Sequence, residues 1–303
     1  MNERVLCTLV EGDYFYGAAA LLNSLVKAEY RGSFYVGYRG KLAAWCQNAE
    51  VLSTLSQCGT DCVFEQQDTP LHFTHYKQTY MNCLIKRGIV TDKLWYFDPD
   101  ITVRCNWEFF DEWVGRGICA CMEATDPIKP RTHPTRLAWL ERSHADGWGE
   151  PVNPLDFYYN AGFIGLTVRN AGFLNLWEKG IALAGREVDQ RIFMTTRRNP
   201  WFNDQDAFNL ALMYWNGAQS MTGPEGMGFT PGGFIMYHAS QGIKPWRKPF
   251  FKAALRGIPP SNADKDFLKN CAGPIEVFPK SVLSGKRRAA KAAAVIGRFY
   301  KRG

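Results

Sequence analysis

The chain has 303 residues, 46% hydrophobic and 21% charged, the proportions of an ordinary globular protein. That excludes disordered, collagen-like and coiled-coil chains, and no apolar run reaches the roughly 18 residues of a membrane-spanning helix. The net charge of +7 is uneven: residues 280–303 hold eight Lys or Arg and no acid, so +7 less eight leaves −1 for everything before them. A near-neutral body carries no electrostatic footprint for nucleic acid, and none is expected as a partner. The nine cysteines form no Cys-x-x-Cys, and Cys58 and Cys62 lack a second ligand pair for zinc. Free thiols in a reducing compartment follow. The run Val5 to Val10 is too short for a secretory signal and reads as a first strand, so a cytoplasmic protein is expected.

In chain order, strand Val5 to Val10 leads through Gly12-Asp13-Tyr14 into a helix, Gly17 to Ala28, with Leu21, Leu22, Leu25 and Val26 on one stripe. Phe34 to Tyr38 is a second strand, and Leu42 to Gln57 a helix ended by Cys58-Gly59. Asp61 to Phe64 is a third strand, Thr74 to Arg87 a helix ended by Gly88, and Lys93 to Phe97 a fourth strand. This alternation predicts an α/β, Rossmann-like fold with a mainly parallel central sheet and helices on both faces. Residues 125–156 are punctuated by proline and hold one short helix, Thr135 to Ser143. They read as an excursion over the strand ends, a lid or acceptor wall. Strand Phe163 to Val168 and helices Gly172 to Ala184 and Asp204 to Tyr214 follow. Gly223 to Phe234, with five glycines and two prolines, reads as a mobile loop without the spacing of a dinucleotide fingerprint. The expected division is one catalytic domain, 1–279, and a basic tail, 280–303.

Ligands of such sheets bind at the carboxyl ends of the strands. The fourth strand runs into Asp98-Pro99-Asp100. Two carboxylates after an apolar strand, with Pro99 fixing the bend, are hard oxygen ligands suited to Mg²⁺ or Mn²⁺ that also holds a diphosphate. Ordinary turn chemistry would also produce that triplet. Asn160 and Gly162 begin a later strand. Asn203-Asp204-Gln205-Asp206 opens a helix after Pro200, where capping and the helix dipole alone favour acids. His238 is a borderline metal ligand, and Lys244, six residues on, can neutralise phosphate. A core histidine and a solvated lysine are the plainer alternative.

Asp-x-Asp after an apolar strand, Asn-x-Gly, Asp-Gln-Asp-x-x-Asn and His-x₅-Lys-Pro-Trp, in that order, resemble glycosyltransferase family eight, the glycogenin and bacterial lipopolysaccharide galactosyltransferase type. The resemblance covers roughly residues 4 to 250. It implies the GT-A fold and metal-dependent transfer of a hexose from a UDP-sugar to a glycan or lipid-linked saccharide, with retention. It implies Asp98, Asp100 and His238 as ligands of Mn²⁺ or Mg²⁺, with Asp98 also on the donor side. Lys244 and the Gly242 backbone N–H would meet the diphosphate, Lys77 the donor, and Thr8 and Tyr14 the uridine. Asn160 would contact the donor sugar, and Asp204 and Gln205 the reacting anomeric carbon. An amide oxygen is a weak nucleophile, which favours front-face displacement with the diphosphate taking the acceptor proton. Gly242 follows His238 by four residues where the family usually has three, and Glu11 and Asp13 stand in place of its first acidic pair. The alternatives are a non-catalytic nucleotide-sugar-binding module or scaffold at a membrane, and a sugar nucleotidyltransferase. Glu11-Gly12-Asp13-Tyr14 lacks the basic glycine-rich loop that the last would need.

On a helix at about 100° per residue, Arg287, Lys291, Arg298 and Arg302 fall together. Ala289, Ala292, Ala293, Ile296, Phe299 and Tyr300 fall opposite. That is the pattern of an interfacial helix on an anionic membrane, and it predicts a peripheral attachment to the inner face. A tail helix docked on the body, or a disordered tail, is the alternative.

Overall fold

The computed structural model describes residues 2–185, 203–240 and 242–299. Pro200, Gln241, Tyr300, Lys301 and Arg302 of the sequence motifs lie outside them. The central sheet is built from β1 (Asn2–Glu11), β2 (Gly32–Arg39), β3 (Thr60–Gln66), β4 (Val90–Phe97), β6 (Ile118–Met122), β7 (Tyr159–Thr167) and β8 (Gln219–Thr222). Their order is β3-β2-β1-β4-β7-β6-β8, and β5 (Ile101–Val103) pairs with β9 (Met236–His238) in a second sheet. The pairs β3-β2, β2-β1, β1-β4 and β6-β8 are parallel, whereas β7 is antiparallel to both β4 and β6. The expected mainly parallel α/β architecture is the one observed.

Period-two alternation buries both faces of the sheet. Leu6, Val10, Trp95 and Phe97 join one core layer with α1 (Phe15–Lys27) and α4 (Glu108–Val114). Val5, Cys7, Leu9, Leu94 and Tyr96 join the other with α3 (Lys77–Lys86), α6 (Gly172–Gly185) and α7 (Asp204–Tyr214). All nine cysteines are free, and burial pushes Cys46, Cys62, Cys121 and Cys271 up to about 12.

Several boundaries differ from the sequence expectation. The helix expected over Leu42 to Gln57 is a 3-10 turn, Ala44–Gln47, followed by α2 (Ala49–Gln57). The break is Asn48, whose side chain caps the new helix by accepting from the N–H groups of Glu50 (3.0 Å) and Val51 (3.2 Å). The supposed mobile loop at Gly223 to Phe234 is packed in part. It holds a 3-10 turn, Pro224–Met227, with Met227 wholly buried. A Cβ on Gly226 would come within 2.4 Å of Thr222 Oγ1 and 2.9 Å of Cys121 Sγ. In the excursion, α5 (Pro134–Ala145) carries the fully buried Arg136, whose guanidinium donates to the carbonyls of Lys129 and Phe157 and so joins the excursion's two ends.

The C-terminal part adds α8 (Phe250–Leu255), α9 (Asn262–Asn270) and α10 (Lys280–Ile296). Among the described residues no helix is long and apolar enough to cross a membrane. The basic helix is docked on the body and stops at Ile296, short of the range expected for it. Its buried stripe is Leu283, Ala290, Ala293 and Gly297, with Lys286 Nζ donating to the Trp246 carbonyl at 2.9 Å. Of the expected apolar face, Ala293 is buried, Ala289 and Ile296 are half-buried, and Ala292 and Phe299 stay exposed. Arg287, expected on the outer basic face, instead donates Nε and Nη2 to the Leu268 carbonyl at 3.1 and 2.9 Å.

The C-terminal segment is fastened to α1 by buried Asn23. Its Nδ2 donates to the carbonyls of Asn270 (2.9 Å) and Ile275 (2.8 Å), and its Oδ1 accepts from Ile275 N–H (3.0 Å). Asn23→Ala leaves three buried backbone groups unpaired, at about 1–3 kcal/mol each. Denaturant unfolding followed by tryptophan fluorescence should show stability lowered by several kcal/mol. An unchanged midpoint would refute the clamp.

Candidate functional site

The chain leaves the sheet at the end of β4 and turns. Asp98 N–H donates to the Gly162 carbonyl at 2.7 Å, and Ile101 N–H to the Asp98 carbonyl at 3.1 Å. α1 lies against this turn only because Gly17 has no side chain: a Cβ there would sit 2.3 Å from the Pro99 oxygen. β5 then pairs with β9 in the register Ile101↔His238, and Ala239 N–H donates to the Asp100 carbonyl at 3.0 Å. That pairing carries His238 to the two carboxylates. Its Nε2 lies 3.2 Å from Asp100 Oδ1 and 3.9 Å from Asp98 Oδ2.

One ligand atom each from Asp98, Asp100 and His238 can lie within 4.8 Å of the others. His238 Nδ1 is buried with no hydrogen-bond partner among the described residues, so Nε2 is the ring nitrogen that faces the acids. Two carboxylates and an imidazole suit a Mn²⁺ or Mg²⁺ ion better than a softer metal, and the residues present fit such a group. The space is guarded by glycine. A Cβ on Gly162 would fall 2.6 Å from His238 Cε1 and 2.9 Å from Asp98 Oδ2.

Two lysines balance the acids. Lys77, almost fully buried, reaches Asp98 at 2.9 and 3.1 Å and donates to the Ala161 carbonyl at 3.0 Å. Lys244 donates to Asp100 Oδ2 at 2.6 Å. Burial by itself would raise the Asp100 carboxyl, but His238 and Lys244 outweigh it and hold the group below the ordinary carboxylate range. Burial pulls Lys244 down, and Asp100 more than restores it. Tyr96 adds a phenol donor to Asp98 Oδ1 at 3.0 Å.

These residues form one end of a cleft of about 290 Å³ at the carboxyl ends of β1 and β4. Nine of the residues named from the sequence line it: Tyr14, Lys77, Asp98, Asp100, Asn160, Asp204, Gln205, His238 and Lys244. Two do not. Thr8 is wholly buried off the cleft lining, and its hydroxyl donates to the Phe97 carbonyl at 2.7 Å, bracing the end of β4. Gly242 is exposed and lies off the cleft lining. Tyr14 stands edge-on to Trp246 with ring centroids 5.2 Å apart, and burial raises its phenol.

Sequence reasoning assigned no role to Glu123. It follows β6, whose small Cys and Ala residues do not read as a strand. Its Oε2 accepts from Asn160 Nδ2 (2.7 Å) and Gln205 Nε2 (3.0 Å). Gln205 Oε1 accepts from Ala161 N–H at 3.2 Å, so both ends of that amide are engaged. Asp204 lines the cleft with its carboxylate unpaired among the described residues. His72 and Thr74, ahead of α3, line it too, and nothing in their pattern marks them.

Beneath α7, Asn203 and Asp206 form a reciprocal cap, and Asp206 accepts from Tyr158 Oη at 2.6 Å. Burial raises the Asp206 carboxyl to about 7, against the lowering by that phenol.

No family model matches the sequence, and no curated protein matches it. Solved structures do. GlyE from Streptococcus pneumoniae, a glycosyltransferase, matches at 14% identity with a TM-score of 0.56, over 97% of this chain and 64% of its own. WbbM, a bifunctional glycosyltransferase, matches at 16% identity with a TM-score of 0.58, over 95% of this chain and 52% of its own. An active-site variant of LgtC matches at 15% identity with a TM-score of 0.54, over 93% of this chain and all of its own. The chain thus spans under two thirds of GlyE and about half of WbbM. It shares their α/β fold, as the expected GT-A arrangement requires.

The Asp206 proton gives a test of the layer beneath α7. The folded carboxyl titrates near 7 and the unfolded one near 3.8, so the native state holds the extra proton between these values and stability falls as pH rises through them. Asp206→Asn cannot ionise. In thermal melts from pH 4 to 8, its stability relative to the native sequence should improve as pH rises. A constant difference would count against a neutral, buried Asp206.

Proposed function

We propose that the protein transfers a hexose from a UDP-sugar to a glycan or lipid-linked saccharide, with retention, using Mn²⁺ or Mg²⁺. The observation that carries this reading is the convergence of Asp98, Asp100 and His238 on one end of a strand-end cleft. The fold shared with three glycosyltransferases supports it. Asp98, Asp100 and His238 would hold the metal. When bound, the ion neutralises the donor diphosphate and stabilises it as a leaving group.

The other side chains divide the remaining work. Lys244 adds positive charge beside the diphosphate, and Lys77 pairs with Asp98 while fastening the start of β7. Tyr14 forms the wall beside the nucleoside. Asn160 touches the donor sugar, oriented by Glu123. The Asp204 carboxylate faces the anomeric carbon and stabilises the positive charge that develops there. Gln205, engaged at both ends of its amide, positions and does not attack. The acceptor oxygen bonds to the anomeric carbon on the face from which the diphosphate leaves. The acceptor proton passes to a diphosphate oxygen, giving UDP and the new glycoside.

Residues 125–156 serve as the acceptor wall, and 1–279 act as the catalytic unit. The exposed outer side of α10 and the turn after it present Val295 and Phe299 among Arg288, Lys291 and Arg298. This is chemistry for the anionic inner face of a membrane, and it fits a cytoplasmic enzyme with a lipid-linked acceptor.

Proton NMR of the protein with a panel of UDP-sugars, with and without Mn²⁺, should show metal-dependent release of UDP from one donor. An α-linked donor should give the α-anomer first. Asp100→Asn and Asp204→Ala should each lower the rate by about 10²-fold or more. Turnover that ignores metal, or full activity in both variants, would overturn the reading. Lys244→Ala removes the cation that occupies Asp100. Calorimetry should find Mn²⁺ bound more tightly to this variant without donor, and UDP bound more weakly with metal present. If neither affinity moves, Lys244 does not serve the diphosphate.

A further inference from the structure

α9 and α10 flank an open groove of about 490 Å³, far along the chain from the β4 turn and lined by none of the cleft residues. α9 contributes Lys265, Leu268 and Lys269, spaced i, i+3, i+4. α10 contributes Arg287, Ala290, Lys291 and Ala294, spaced i, i+3, i+4, i+7. Each helix therefore presents one face on which cations flank an apolar centre. Leu268 and Ala290 are buried and make an apolar floor, while Lys265, Lys269 and Lys291 stand exposed at the rim.

Among the described residues none of these four cations has a carboxylate within ion-pair distance. Asp264 pairs with Lys248 at 2.6 Å, and Asp266 accepts from the Thr102 hydroxyl at 2.8 Å and lies 3.8 Å from Arg104, acting on Lys269 only from beyond ion-pair distance. Arg287 is fixed in place by its two bonds to the Leu268 carbonyl. Lys27, at the end of α1, is held below the usual lysine range by burial and then by the charge of Lys269, with Arg287 adding to it and Asp266 opposing.

We propose that this groove binds the phosphate headgroup and upper acyl chain of an anionic phospholipid. Four cations line the groove with no ion-pair partner among the described residues, and a held guanidinium flanked by lysines is a phosphate-binding arrangement. The apolar floor selects an amphiphile over a hydrated free anion, which would gain nothing from Leu268, Ala290 and Ala294. The groove is part of the same α10 whose outer side carries Val295, with Phe299 in the turn after it. The proposal rests on the reading that the protein works at an anionic membrane and deepens it by naming where one headgroup sits. That seat lies partly on α9, outside the tail.

The test uses the full chain and a soluble probe. Dihexanoyl-phosphatidylglycerol below its micelle concentration is titrated by calorimetry, with dihexanoyl-phosphatidylcholine and inorganic phosphate as comparisons. Saturable binding of the glycerol lipid is expected, with both comparisons at least about tenfold weaker. Lys265→Glu with Lys269→Glu should weaken it at least about tenfold. Both positions are exposed, so melting temperature and donor turnover should be unchanged in this variant. No saturable binding, binding indifferent to the charge reversal, or inorganic phosphate binding as well as the lipid would each overturn the groove. Flotation with phosphatidylglycerol vesicles separates the two ideas. Protein that floats but ignores the soluble lipid refutes the groove and keeps the membrane reading. Protein that binds the soluble lipid but never floats keeps the groove and refutes the membrane reading.

Discussion

Two carboxylates drawn out of water need positive charge close by, and the site is organised around that need. Asp100 is buried, and Asp98 is largely covered. Left alone, a carboxyl as buried as that of Asp100 would take up a proton. His238 and Lys244 hold Asp100 in its charged form, and Lys77 pairs with Asp98. The same arrangement makes the cluster receptive to a divalent cation, because the lysines already hold the places where compensating charge belongs. Lys244, bound to one Asp100 oxygen and to the Ala239 carbonyl at 3.0 Å, is less covered than Lys77 and is the more readily exchanged of the two. Lys77 reaches both oxygens of Asp98 and the Ala161 carbonyl.

Bringing these groups together depends on one reversed strand. If β7 ran parallel to β4, its start would lie at the far end of the sheet. Running antiparallel, it delivers Asn160, Ala161 and Gly162 to the carboxyl end of β4, with Phe97 opposite Phe163. Gly162 then permits an approach that any side chain would block, and Gly17 does the same on the α1 side. Glu123 completes the floor by holding the Asn160 and Gln205 amides with one oxygen. The order of the cleft thus comes from backbone register first and side-chain hydrogen bonds second.

The C-terminal helix shows how far a helical wheel can be trusted. The charges and apolar residues of α10 separate on the wheel, yet the body takes neither face whole. It takes the stripe of Leu283, Ala290, Ala293 and Gly297, where small residues allow close packing against α8 and Pro259. Much of the apolar side is left outward, and Arg287 is turned toward α9. Periodicity reports which residues share a face. It does not report which face finds a partner.

The alternation of strands and helices, the Asp98-Pro99-Asp100 triplet at the end of β4 and the capped start of α7 were legible in the sequence because each rests on neighbours in the chain. Apolar period two, Asp-Pro-Asp after Phe97, and Asn203 with Asp206 are local signals. His238 and Lys244 were legible only as candidates, and the role of Glu123 was not legible, since the strand before it is built of small residues without a strong β signature. Thr8 shows how a strand-end hydroxyl reads the same in sequence whether it faces a cleft or, as here, a neighbouring carbonyl. What the tertiary structure decided is which distant residues share one cleft, through the β5–β9 pairing that sets His238 on Asp100 and the reversal of β7, and which stripe of α10 docks on the body. Those depend on strand register and on packing between elements far apart in sequence. No local pattern encodes them, because their free energy is released only when the whole sheet and both its layers are assembled.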